Sequence, residues 1–191
     1  MRAFVYRVVA ADGRSAAYSL TMTSLPEPAK GTSDTKALFL DYLDYYRSVV
    51  ATKLEGLNDV ELRSSRLPSG WTPIELLKHL VFMERRWLRW GFAAEPVTEP
   101  WGDNDDDGRW RVESNESVDT LLAALHDGGQ QTRRLVQQVD VDAPSAVGGR
   151  FRSPEEAPAL VWVLFHVLQE YARHAGHLDI VRELADGTTG E

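Results

Sequence analysis

Apolar residues recur at steps of three and four over four long stretches of the chain, separated by polar segments rich in Pro, Gly and Ser. Phe39, Tyr42, Leu43, Tyr46, Val49, Val50 and Leu54 form the first stretch, and Gly56 ends it, which predicts a helix over 34–55. The second start is sharper. Thr72 precedes Pro73 at the first helical position, and Glu75 can reach back to the cap, so a capping box opens a helix over 73–92. Ser117 caps a third stretch of Val118, Leu121, Leu122, Leu125, Thr132, Leu135, Val136 and Val139, in which Gly128 and Gly129 are expected to weaken or bend the helix. Ser153-Pro154-Glu155-Glu156 reads as the start of the fourth and longest helix, whose apolar stripe from Leu160 through Leu178 runs on to Leu184 before Gly187.

Period-two alternation is absent except for one short candidate strand near Phe4–Val9. The expected fold is all-α, a four-helix bundle with crossover connections, because its linkers are too long to be tight hairpins only. Residues 1–33 read as a flexible or poorly packed extension, in which Met22 is a second candidate start. Residues 34–186 are the bundle and 187–191 a tail. A chain of 191 residues suits one such core.

Composition narrows the function. Lys and Arg number 21 against 29 Asp and Glu, and a net charge of −8 argues against nucleic acid. No run is long and apolar enough for a membrane span, and no secretory signal is evident, so a cytoplasmic protein, monomer or homodimer, is expected. Cysteine is absent, which removes disulfides, thiolate ligands and a cysteine nucleophile together.

The histidines are the informative residues. His166, Glu170, His174 and His177 fall within an arc of roughly 80° on the fourth helix, but His166 and His174 are about 12 Å apart along its axis and cannot share one ion across Glu170. Glu170 and His174, at i and i+4, can converge on one point. A third ligand must come from another helix, and His79, bordering the arc of Leu76, Leu80, Met83 and Trp87, is the candidate. Two histidines and one glutamate would leave open positions on zinc, the catalytic pattern. Surface or hydrogen-bonded core histidines satisfy the same spacing, which is common on helices.

Two stretches carry a resemblance. GWTPIELLKHLVFMERRWLRWGF, at Gly70–Phe92, and HVLQEYARHAGHLDIVREL, at His166–Leu184, resemble the DinB-like (DinB/YfiT) superfamily of four-helix metalloproteins. The closer resemblance is to the branch of mycothiol-dependent maleylpyruvate isomerase and related thiol transferases. It implies that a divalent metal, zinc or else nickel, manganese or iron, is held by His79, Glu170 and His174. Their spacing, one turn before Glu170 and nearly one turn after His174, makes His166 and His177 candidates to orient ligands or line the pocket, though the three-ligand set requires neither. The resemblance further implies mycothiol or a similar small thiol as cosubstrate, whose metal-bound thiolate attacks a small electrophile. The alternatives are a hydrolase using metal-bound water and a non-catalytic metal-binding stress protein of the same fold.

Other signals are weaker. Asp103–Gly108 opens like a calcium loop, but Ser114 stands where a bidentate Glu is required, so a solvated acidic loop is expected. Its flanking Trp101 and Trp110 read as packing under the crossover rather than as walls of a pocket. Asn115-Glu116-Ser117 is a sequon read as a helix start, His126 as a surface residue, and Arg85, Arg86 and Arg89 as a solvated face. Glu84 and Arg182 project into apolar arcs and require partners, each other being one candidate pair.

Overall fold

A computed structural model of the chain describes residues 4–9, 15–20 and 26–189. The candidate strand appears and has a mate: β1 (Phe4–Val9) pairs antiparallel with β2 (Ser15–Leu20), Phe4 opposite Leu20. Met22 lies outside the described residues.

Four long helical spans follow, with one short helix between the first and second. Asp34 accepts a hydrogen bond from the Ala37 amide and starts α1 (Thr35–Leu54). α2 (Asp59–Leu62) is a single turn closed by an Asn58–Glu61 capping box, too short for periodicity to mark. The expected Thr72–Glu75 box opens α3 (Pro73–Glu84), which continues without a break into a π-helical segment, Arg85–Phe92. Together they fill the predicted span, but the wider final turns were not in the pattern. α4 (Val118–Gln137) starts on Ser117, and α5 (Leu160–Asp186) ends where Gly187 takes a left-handed φ of 77°.

Two local expectations fail for physical reasons. Ser153–Glu156 forms a turn rather than a cap, and α5 begins at Leu160 because the Leu160 and Val161 amides are satisfied by the Ala143 and Val141 carbonyls. The paired glycines leave α4 continuous. Gly129 is there for proximity, since a Cβ on it would stand 2.9 Å from the Arg47 guanidinium, whereas Gly128 faces open space.

α1 packs on α5 and α4, and α3 on α4 and α5, so the four long helices enclose one core around Leu43, Leu76, Leu80, Leu164 and Tyr171. Within it Glu84 finds a partner other than Arg182. Arg47 of α1 grips both of its carboxylate oxygens, and Thr132 of α4 and Tyr171 of α5 donate to it as well, so one carboxylate ties α3 to the other three. Arg182 instead donates to the Lys53 and Glu55 carbonyls at the end of α1 and pairs with Asp186. Among the described residues no helix is long and apolar enough to cross a membrane.

Candidate metal centre

The capping box sets the register of α3, and its second turn presents His79 toward α5. There Glu170 and His174, one turn apart, meet it: one ligand atom from each of the three residues lies within 4.8 Å of the others. The His174 Nε2 is 3.3 Å from Glu170 Oε2, and the rings of His79 and His174 are 5.1 Å apart at 69°. His174 is buried, while the side chains of His79 and Glu170 keep 14% and 15% exposure, so the group is partly accessible to solvent.

Each imidazole is held through its other nitrogen. His79 Nδ1 lies 3.1 Å from Asp103 Oδ2, and Arg86 forks onto both oxygens of that fully buried carboxylate. Burial opposes the charge on Asp103, but the hydrogen bonds from His79 and Arg86 and the Arg86 charge outweigh it and hold the carboxyl below its ordinary value. An acceptor on Nδ1 leaves the His79 Nε2 lone pair free to bind an electrophilic centre. His174 Nδ1 is 3.3 Å from the Nδ1 of His177, whose own ring lies 6.0 Å from Trp71. Burial, reinforced by His79, lowers the His174 pKa to about 4, so this imidazole is neutral at pH 7 and its lone pair is available.

The acidic loop is therefore only partly solvated, which corrects the expectation. Asp103 is its buried anchor. Asp105 Oδ1 accepts from the Asp107 and Arg109 amides, and a bridge between Asn104 and Trp110 folds the loop back. Trp110 is thus laid on His79, stacked at 4.3 Å and 23°, and is a wall of the site rather than mere packing. Arg86 is buried, not solvated; Arg89 pairs with Glu95 at 2.6 Å. Trp101 stays half exposed, under the Arg86 guanidinium at 4.3 Å. His166 does not join the group. It packs on Trp87 at 4.2 Å and lies parallel to Trp162 at 5.5 Å, and burial lowers its pKa. His126 is exposed, as expected.

Asp103 and Arg86 were the residues sequence reading missed. An Asp heading an acidic run and an Arg in a basic one carry no mark of burial, and their pairing spans a crossover. Cavities of about 260 and 420 Å³ lie elsewhere, one beside Glu84 and Arg85, the other between Tyr42 and Phe165.

The donor set suits a divalent ion of the zinc type: two imidazoles with the other nitrogen engaged and one carboxylate, on two rigid helices. No curated protein matches the chain. The helices that build this constellation also carry a family signature. A model described as mycothiol-S-transferase matches residues 38–187, from the first turn of α1 to the glycine that ends α5, and the chain belongs to that family.

Proposed function

We propose that the protein is a metal-dependent thiol S-transferase, acting at His79, Glu170 and His174 on a small thiol of the mycothiol type and a small electrophile. The observation that carries this reading is the convergence of three ligand atoms within 4.8 Å, with His79 and Glu170 still partly exposed to solvent. A divalent ion held there, zinc by the chemistry of the donors, would supply Lewis acidity that brings a coordinated thiol to its thiolate near neutral pH, so a chain without cysteine can use the sulfur of its cosubstrate.

The chain's own residues supply the rest. Asp103 fixes the His79 tautomer, and Arg86 keeps Asp103 ionised by pairing with it. Trp110 holds the plane of the His79 ring and keeps water from that face. His177 sets the orientation of His174 through its Nδ1. Glu170 contributes the one negative charge among the three ligands, so the loaded set would keep a net positive charge that favours an anionic sulfur. We place this chemistry in the cytoplasm, where small thiols are kept reduced.

Metal analysis and a thiol-dependence assay test the reading. Tag-free protein offered zinc, nickel, manganese and iron is expected to retain about one equivalent of metal, and Glu170→Ala to lose it while keeping its helical circular dichroism. Retention below about half an equivalent by the unaltered protein overturns the metal reading. Metal retained with no turnover on adding mycothiol and an electrophile such as monochlorobimane rejects the transferase and leaves a hydrolase or a binding protein.

A further inference from the structure

A second group of side chains adjoins the triad, and beyond Asp103 and Arg86 it is not used by the chemistry above. It can be followed contact by contact. Asp103, which orients His79, pairs with Arg86; Arg86 lies over Trp101 at 4.3 Å; and Arg150 lies 5.7 Å from that same ring. Arg150 also covers Trp87 at 4.1 Å, and Trp87 packs at 4.2 Å on His166, one helical turn before Glu170. The path that leaves the triad at His79 thus ends one helical turn from Glu170, and Arg150 stands midway.

Arg150 is anomalous on this path. It is half buried, yet no carboxylate among the described residues lies within ion-pair distance of its guanidinium, whose only described contacts of note are aromatic faces and the neighbouring charge of Arg86. Such a cation has no countercharge among the described residues. It is also firmly placed. Its amide donates to the Trp90 carbonyl at 3.1 Å and that of Ala146 to the Phe92 carbonyl at 2.8 Å, pinning the loop to the π-helical turns. Gly149 permits this approach, since a Cβ there would stand 2.1 Å from the Trp90 carbonyl oxygen. The π-helical segment carries Arg86, Trp87 and Trp90, and the Arg150 guanidinium lies over the rings of the last two, at 4.1 and 6.0 Å; π segments are frequent at functional sites. Trp162, half exposed and parallel to His166, leaves this aromatic surface open to solvent.

We propose that Arg150 binds the anionic group of the electrophile, and that the preferred substrates are small, flat carboxylates whose frame lies on the Trp87 and Trp162 side of the triad. The inference rests on the transferase reading for the word electrophile, but the binding it asserts does not require turnover. A guanidinium on an aromatic face retains its outward N–H donors, which suit a carboxylate edge-on, while the rings accept the apolar frame.

Binding of benzoate and its neutral isostere benzamide, followed by calorimetry and by tryptophan fluorescence with and without zinc, tests this. Benzoate is expected to bind more tightly than benzamide; Arg150→Met, which keeps the apolar stem, should weaken benzoate roughly tenfold and leave benzamide unchanged, and Arg150→Lys should recover part of the loss. Equal binding of the two probes, no binding of either, or full benzoate affinity in Arg150→Met overturns the assignment. Benzoate binding that depends on Arg150 in a protein inert toward thiols supports the anion site while rejecting the transferase, so the two failures are distinguishable.

Discussion

Asp103 and Glu84 are both buried carboxylates gripped by an arginine, and they do opposite jobs. Asp103 turns its second interaction toward His79, so its removal should be felt by the metal. Asp103→Asn is expected to weaken zinc binding roughly 10- to 100-fold in a competition titration against a chelating dye. Melting temperature would move in either case because Arg86 loses its counter-charge, so unchanged metal affinity is the result that removes the orienting role. Glu84 spends all its hydrogen bonds inside the core, and Glu84→Gln should cost about 3–5 kcal/mol in urea unfolding with metal stoichiometry unaltered. Its pH signature has a definite sign. Burial opposes ionisation of Glu84, but Arg47, Thr132 and Tyr171 outweigh it and lower the pKa below the ordinary 4.5. A carboxyl with a depressed folded-state pKa contributes stability that is complete above its ordinary value and is lost as pH falls through the folded one. The unaltered protein should therefore lose stability more steeply than Glu84→Gln below about pH 4.5; parallel curves would show that the network carries no net charge stabilisation.

Among the elements, α4 offers the sharpest contrast between residues the sequence treats alike. Gly128 has open space about its Cα, and Gly129 has the Arg47 guanidinium. Gly128→Ala should stabilise the protein by up to about 1 kcal/mol through helix propensity alone. Gly129→Ala should destabilise it, because Arg47 cannot retreat without releasing Glu84, and that loss exceeds the propensity gain. Equal melting shifts for the two would mean Arg47 has slack that its hydrogen bonds to Glu84 conceal. The same lesson holds for α3. Its cap and apolar stripe were legible to the residue, but the passage into a π-helical segment was not, since widening a turn by one residue leaves the local pattern almost unchanged and is decided by what the side chains meet.

For the molecule as a whole, the buried apolar cluster of the residues whose burial is described begins at Phe39, and the family match begins at residue 38. A chain starting at Met22 is expected to fold with a loss of under about 2 kcal/mol and to bind metal as before, checked by urea unfolding and metal analysis. A larger loss would mean that β1 and β2 pack on the bundle.

The sequence by itself determined the four long helices and three of their starts, because caps and apolar periodicity act over single turns. It also determined the pairing of Glu170 with His174, because an i, i+4 spacing needs no more than the helix that contains it. His79 was legible as a candidate through its place beside the apolar arc of its helix. Only the tertiary structure decided that Asp103, at the head of an acidic run, is the buried partner of His79, that Arg86 answers it, that Glu84 turns to Arg47, and that Arg150 has no carboxylate within ion-pair distance among the described residues. Each of these depends on where a crossover or a neighbouring helix places a charge in three dimensions. A charged residue looks the same in sequence whether water or another side chain satisfies it, and burial, which distinguishes the two, is a property of the assembled fold.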